Sequence, residues 1–136
     1  MNWLERIPHQ PPMRLVDVVL DVTPGSSAIA QRIAAADDFY FQGHFPGQPI
    51  VPAVILVEML AQTGGIAAAS ATRSDAPIEM RLAALGPFKF PAAAAPGARL
   101  EARARVTGRL GRLVKIEGEV AADGVIVAEG SLTLAG

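Results

Sequence analysis

Alternation of apolar and polar residues predicts several β-strands in this chain. Residues 15–23 place apolar side chains on one face and aspartates on the other, and the turn Pro24–Gly25 follows them, as expected for a half-buried strand. The apolar positions of that face are Val16, Val18, Leu20 and Val22. Residues 27–34 predict its antiparallel partner, with Ile29 and Ile33 on one face.

The second half of the chain repeats this two-residue period. Further strands are predicted over residues 81–90, 100–107, 113–121 and 125–134, with turns at 108–111 and at Asp123–Gly124. An Asp-Gly pair between alternating segments is a strong hairpin signal. The apolar faces are Leu100, Ala102, Ala104 and Val106 in one strand and Val114, Ile116 and Val120 in the next.

One segment is apolar on nearly every side and lacks the strand period. It runs from Pro52 to about Ala71 and predicts a helix that is buried all round. A membrane span needs about 20 apolar residues, so this segment raises that alternative. The polar side chains of Glu58 and Gln62 and the pair Gly64–Gly65 favour a buried helix and no membrane association.

These elements predict an α+β fold: two strands, one buried helix, and three or four antiparallel strands. Residues 37–52 and 73–77, rich in turn-forming residues or lacking a period, predict loops. A length of 136 residues suits a single domain over residues 1–136. Because one small sheet can hardly cover a whole helix, the pattern also indicates that a second subunit helps to bury it.

Composition narrows the range of functions. The net charge is −1 and there is no cysteine, which argues against nucleic-acid binding and excludes disulfides and thiolate chemistry. Five arginines nevertheless cluster between residues 99 and 112. The first twelve residues contain no apolar signal segment, so we expect a cytoplasmic protein.

The stretch FQGHFPGQPIVPAVILVEMLAQTGG, residues 41–65, carries the candidate chemistry. His44 lies among glycines and prolines, which restrict a loop, and Glu58 lies within the apolar helix. A buried carboxylate is costly unless it is paired or used. This stretch closely resembles the active-site segment of the β-hydroxyacyl-[acyl carrier protein] dehydratases, and IPHQPPMRLVDVV and FKF, with Pro96–Gly97 further on, resemble two other segments of that family.

The resemblance implies a hotdog fold, in which a curved antiparallel sheet wraps one long central helix. It also implies homodimers, in some members trimers of dimers, with each active site shared between subunits. His44 would come from one subunit and Glu58 from the other. Glutamate at this position, where isomerase-competent relatives usually carry aspartate, and the short chain imply a dehydratase-only enzyme.

The implied reaction removes water from a 3-hydroxyacyl thioester, carried by acyl carrier protein or another carrier, to give a trans-2-enoyl thioester. His44 would take the C2 proton and Glu58 would assist loss of the C3 hydroxyl. No cofactor is expected. The candidate substrate-binding residues are Gly43, Phe45, Ala53, Val54 and Gln62, with free N–H groups near Ala53 and Val54 facing the thioester oxygen.

Two departures from the family pattern bear on the substrate. Ala53 replaces a glycine whose backbone N–H binds the thioester oxygen in the family. The methyl group of Ala53 would lie where the substrate passes. PAAAAPG, residues 91–97, replaces a basic segment, so the arginines over residues 99–112 become candidates for docking an acidic carrier.

Other interpretations remain open. A hotdog thioesterase would use the helix carboxylate without the histidine loop, and a non-catalytic acyl-binding or assembly paralogue would need neither residue. Gln62 is equally consistent with a buried amide of structural role. His9 is expected to be structural, and two histidines without HxxxH spacing predict no metal site.

Overall fold

The structure, a computed structural model, describes residues 2–72 and 78–136. It contains one α-helix, six strands and two short 3₁₀ helices in that part of the chain. The 3₁₀ helices are Trp3–Arg6 and Phe39–Phe41, and α1 is Ala53–Ala69. The strands are β1 Val18–Thr23, β2 Ser27–Ile33, β3 Arg81–Lys89, β4 Arg99–Leu110, β5 Leu113–Ala122 and β6 Val125–Ala135.

The six strands form one antiparallel sheet in the order β1-β2-β4-β5-β6-β3. The helix packs against β2, β4, β5 and β6, so a curved sheet wraps a single helix. This is the α+β hotdog arrangement that the resemblance implied. The predicted loop over residues 73–77 lies outside the described residues.

The predicted strand boundaries hold to within a few residues at most ends. The hairpin at Asp123–Gly124 is confirmed, with positive φ at both residues. The turn predicted over residues 108–111 is shorter, because β4 continues to Leu110 and β5 begins at Leu113. In β4 the predicted inward face is correct, with Leu100, Ala102 and Ala104 buried.

The inward face predicted for residues 16–22 is correct at Val16 and Val22 and wrong at Val18 and Leu20. Val18 and Leu20 are exposed by 46% and 49%, whereas Val19 and Val22 pack against the core. The cause is an irregularity in the pairing with β2, where the register shifts between Val19 and Asp21. The extra residue breaks the two-residue period that the prediction assumed.

In β2 the small residues face the helix. Ala28 and Ala30 are buried, whereas Ile33 is 43% exposed. Ile29 and Ile33 therefore share a face, as predicted, but it is the outer one. Alanine on the inner face lets the sheet lie close to the helix.

Helix α1 is buried within one chain over most of its length. Every residue from Leu56 to Ala69 is buried except Glu58, which is half-buried. The sheet covers one side, and the chain before β1 covers another through Ile7, Leu15 and Val16. One chain therefore buries this helix apart from its exposed first turn, so a second subunit is not needed to cover the rest. None of the helices in the described ranges is long and apolar enough to cross a membrane.

Glycines set the distance between helix and sheet. A Cβ atom on Gly64 would lie 3.0 Å from the side chain of Ile116 in β5. A Cβ on Gly118 would approach Leu60 Cδ1 to 2.8 Å and would collide with the carbonyl oxygen of Arg103. Each element thus presents a glycine to a large side chain of the other. Glycine costs about 1 kcal/mol in a helix relative to alanine, and this close packing offsets that cost.

We expect Gly118→Ala to destabilise the fold by about 1–3 kcal/mol, the usual range for overpacking a core. The added methyl group must displace a backbone carbonyl as well as Leu60. Denaturant unfolding measures the effect. Gly108→Ala is the matched control, because a Cβ there meets nothing within 4 Å, and it should change stability by less than about 0.5 kcal/mol. Equal stability of the two variants would contradict the close-packing explanation.

Candidate active site

His44 lies in a tight loop that precedes α1. Gly43 and Gly47 have φ of 78° and 82°, a region that glycine adopts without strain. Within the loop, Gln48 N donates to Phe45 O at 3.0 Å and Ile50 N donates to His44 O at 2.9 Å. The imidazole stacks on the Phe45 ring, with centroids 4.5 Å apart. Together with a bond from His44 N to Phe41 O at 3.3 Å, these bonds fix the backbone on both sides of His44.

The orientation of the His44 ring follows from the one polar contact that its imidazole makes with described residues. Nδ1 lies 3.4 Å from the carbonyl oxygen of Ile50, so Nδ1 is the nitrogen that carries hydrogen in the neutral ring. Nε2 then keeps its lone pair. An imidazole held in this way is suited to accept a proton at Nε2.

A polar cluster anchors the start of this loop. Arg32 of β2 donates to both carboxylate oxygens of Asp38, at 2.6 and 3.1 Å, and to Asp17 at 2.8 Å. The Tyr40 hydroxyl donates to Asp38 Oδ2 at 2.6 Å. Burial raises the pKa of Tyr40, and the bond to Asp38 raises it further, while Arg32 opposes the shift. The cluster ties residues 38–40, just ahead of His44, to the sheet.

The first turn of α1 presents unpaired backbone donors. Pro52 is the N-cap and supplies no side-chain acceptor, and the first turn holds no acidic residue. Within the described residues, no acceptor faces the N–H groups of Ala53 and Val54. Val54 is 73% exposed. The positive end of the helix dipole is therefore open at this point.

Ala53, which replaces a glycine of the family pattern, fits its position without strain. Among the described residues, Asp123 is the sole non-glycine residue with positive φ, so Ala53 does not need the backbone freedom of glycine. Its methyl group remains a steric feature at an exposed point of the first turn.

Glu58 is held by Gln62, one helical turn further on. Gln62 Nε2 donates to Glu58 Oε1 at 3.2 Å and to the carbonyl oxygen of Met13 at 2.7 Å. Gln62 Oε1 accepts from Leu15 N at 2.8 Å. The two backbone groups fix which end of the amide points at Glu58. The contact between Gln62 and Glu58 that the helical spacing suggested is thus present.

His9 is the second partner of Glu58, and the sequence interpretation missed it. His9 Nε2 lies 3.3 Å from Glu58 Oε1, with the two side chains 25% and 27% exposed. The sequence carried part of the signal for a functional histidine, because His9 lies among Pro8, Pro11 and Pro12, which restrict its backbone as the glycines and prolines around His44 do. What the sequence could not show is that this segment lies along α1.

Arg6 fixes the segment that carries His9. Its guanidinium is buried and donates to the carbonyl oxygens of Ala69 and Thr72 and to Thr72 Oγ1, at 2.8–3.2 Å. These acceptors lie at the C-terminal end of α1, where a cation also interacts favourably with the helix dipole. The segment of residues 6–15, which precedes β1, is therefore attached to α1 at Arg6 and again at Met13 and Leu15. His9 lies between these two attachment points.

His44 and Glu58 are not partners within one chain. Glu58 contacts His9 and Gln62, and His44 contacts Ile50. No hydrogen bond or ion pair joins His44 to Glu58 in the described ranges. Nor do residues 2–72 and 78–136 contain a group of three or more metal-ligating side chains.

The arginines of β4 are largely neutralised by neighbours. Arg103 pairs with Glu101 and Arg105 pairs with Glu119, each at 2.9 Å. Arg109 reaches the carbonyl oxygen of Ala68 at 3.5 Å. The cluster that the sequence suggested for carrier docking is thus reduced to Arg99, Arg109 and Arg112, which form no ion pair with other described residues.

Comparison with known proteins identifies the family. A family model described as the FabA-like domain matches residues 7–131. The chain belongs to the FabA-like domain family. The resemblance stated from its sequence is thereby confirmed.

Curated members of this family resemble the chain over most of its length. The 3-hydroxyacyl-[acyl-carrier-protein] dehydratase FabZ of Oleidesulfovibrio alaskensis is 38% identical over 132 residues, covering 95% of this chain and 84% of the relative. FabZ of Campylobacter hominis is 37% identical and covers 95% and 90%. Among solved structures, the dehydratase heterocomplex ApeI:P from Xenorhabdus doucetiae superposes with a TM-score of 0.77 at 19% identity, over 99% of this chain and 90% of that chain. The similarity to this solved structure supports the hotdog fold.

We expect Tyr40 to ionise well above the ordinary tyrosine pKa of about 10. It is the only tyrosine in the chain, so its phenolate absorbance can be followed directly. Folding raises the pKa of Tyr40. Its neutral phenol therefore contributes to the stability of the fold below about pH 10, and this contribution is lost as pH rises through the pKa of the folded protein.

Asp38→Asn should move the native midpoint down toward the ordinary value, since it removes the acceptor and negative charge beside the phenol. Titration of the denatured chain provides the control, with a midpoint near the ordinary value. A native wild-type midpoint that coincides with the denatured one would contradict the described cluster.

Proposed function

We propose that this protein is a 3-hydroxyacyl-[acyl carrier protein] dehydratase of fatty-acid synthesis or of a related acyl pathway. Family membership and the curated FabZ relatives support the activity. The observation that carries the proposal is a histidine with a free Nε2 in a rigid loop, together with a helix carboxylate that accepts from Gln62 and lies 3.3 Å from His9 Nε2. These are the base and the acid that elimination of water requires.

In the proposed reaction, His44 Nε2 takes a proton from C2 of the substrate. The electrons of that C–H bond form the C2–C3 double bond, and the C3–O bond breaks. The departing hydroxyl takes a proton from Glu58 and leaves as water. Proton exchange from His44 back to Glu58 or through solvent restores both groups.

The first turn of α1 is proposed to bind the thioester oxygen. Negative charge grows on this oxygen as the C2 proton leaves, and two backbone N–H groups at a helix start suit such a charge. The unpaired N–H groups of Ala53 and Val54 support this role. Gly43 and Phe45 would shape the approach to His44, and the Ala53 methyl group would narrow it.

We propose that each active site is shared between two subunits. The absence of a His44–Glu58 contact in the described part of a single chain supports this arrangement. Exposed apolar side chains beside the candidate site support it as well, with Phe45 55% and Val54 73% exposed. Strand β3 is at one edge of the sheet and carries the exposed Leu85, so a second copy could extend the sheet. A homodimer is the minimal assembly, and a trimer of dimers is consistent with it.

An acyl carrier protein is the proposed substrate carrier, by analogy with the FabZ relatives. Arg99, Arg109 and Arg112 are the arginines of that cluster without an ion pair in the described residues, and they are the proposed contacts for an acidic carrier. The cytoplasmic location stays a prediction from the sequence.

His44→Ala should lower kcat by at least about a hundredfold, the usual contribution of a general base. Enoyl thioester formation from a 3-hydroxyacyl thioester measures the reaction, and assay of free thiol shows whether the protein hydrolyses the thioester instead. Gln48→Ala in the same loop is the matched control, because the Gln48 side chain is exposed and its loop contacts are made by the backbone. Near-normal dehydration by His44→Ala, or thiol release without enoyl formation, would refute the proposal.

A second prediction concerns the shared site. His44→Ala and Glu58→Ala proteins, each inactive alone, are mixed under conditions in which subunits exchange. Half of randomly paired dimers are mixed, and each of these has one intact site, so about a quarter of wild-type activity should return. The dehydratase activity of the mixture is measured, and a native mass spectrum of the same sample demonstrates that subunits have exchanged. Exchange without recovery would mean that both residues serve the site from the same chain.

A further inference from the structure

The chain contains two histidines, and the proposed reaction uses only one of them. His9 lies on the segment before β1, yet its Nε2 is 3.3 Å from Glu58 Oε1. That distance is long for a hydrogen bond between ideal groups but within ionic contact. A histidine placed against the proposed catalytic acid therefore needs an explanation.

Two side-chain nitrogen atoms near Glu58 approach the same carboxylate oxygen. His9 Nε2 and Gln62 Nε2 each approach Oε1, at 3.3 and 3.2 Å. No donor approaches Oε2 in the described part of the chain. The proton of the neutral carboxylic acid therefore belongs on Oε2, because Oε1 already accepts from Gln62 and lies 3.3 Å from His9 Nε2. Oε2 is the oxygen left to face the substrate.

The surroundings of His9 also select its protonation. His9 Nδ1 is buried and has no hydrogen-bond partner in the described residues. In the doubly protonated ring Nδ1 would carry a hydrogen with no acceptor, and a buried unpaired donor is costly. In the neutral ring with hydrogen on Nε2, Nδ1 is a bare lone pair and Nε2 donates to Glu58. The geometry favours this second form.

We infer that His9 is a positioning residue for Glu58: as a neutral imidazole with hydrogen on Nε2, it donates to Oε1 together with Gln62 and thereby directs Oε2 toward the substrate. The inference rests on the proposed dehydration. Arg6 and the Met13–Leu15 contacts hold His9 in place from both sides. A role of this kind affects the reaction step more than substrate binding.

Two substitutions separate donation from packing. His9→Gln places an amide N–H near the position of Nε2, and His9→Phe keeps a ring of similar size without a donor. His9→Phe should lower kcat about tenfold, the effect of losing one hydrogen bond to a reacting group, with KM nearly unchanged. His9→Gln should stay within roughly threefold of wild type because it keeps that bond. Circular dichroism and thermal unfolding verify that both variants fold.

Nitrogen-15 NMR tests the protonation independently of turnover. In His44→Ala protein the only histidine is His9, and its spectrum at neutral pH should show a protonated Nε2 and an unprotonated Nδ1. Adding Glu58→Ala should shift the Nε2 resonance and allow the two tautomers to mix. This measurement stands even if His9→Phe fails to fold.

Three results would overturn the inference: wild-type kcat in folded His9→Phe, an equal loss of kcat in His9→Gln and His9→Phe, or a His9 ring with hydrogen on Nδ1. Failure of the wild-type enzyme to form enoyl product is a different result. It would refute the proposed function, and the NMR experiment would still decide whether His9 donates to Glu58.

Discussion

Close packing of α1 between two layers of its own chain determines the rest of the structure. On one side Gly64 and Gly118 let helix and sheet approach each other, and on another side Gly65 lies against Ile7, where a Cβ would be 3.4 Å from the Ile7 side chain. A helix enclosed in this way has little room for polar side chains. Those it carries must find partners in the layers that cover it.

Gln62 meets that requirement, and the site follows from it. Its amide satisfies Met13 O and Leu15 N of the covering segment, and the remaining hydrogen on Nε2 points to Glu58. The same bonds that attach the segment to the helix thus orient the carboxylate. Structural and chemical roles cannot be separated at this residue, which is why the sequence left both open.

Local patterns predicted most of the fold. The two-residue period located β4 and β5 with their buried faces, and Asp123–Gly124 located a hairpin, because these features depend on neighbours in sequence. The face of β1 was predictable only in part. An irregularity in the pairing with β2, where β1 has one residue more than β2, places Val19 inward instead of Val18 and Leu20, while Val22 is inward as predicted.

The candidate site was predictable only in part, for a related reason. His44 and Glu58 were recognisable because their surroundings are local: a glycine- and proline-rich loop and an apolar helix. The contact of His9 with Glu58 and the cluster of Arg32, Asp38 and Tyr40 join elements that the sequence does not place together. Such contacts depend on how the covering segment and the loop lie against α1 and β2, which no periodicity records.

The order of strands in the sheet has a consequence for how the chain folds. Strands β4, β5 and β6 are joined by short turns, so their contacts are close in sequence and form quickly. Strand β2 pairs with β4 only after the chain has passed through the whole of α1, so this pairing carries a large loop-closure cost. We expect the three-stranded meander to form first and to provide the surface on which α1 docks. The β1–β2 hairpin would then close the sheet, and the loop bearing His44 would be among the last segments to reach its final position.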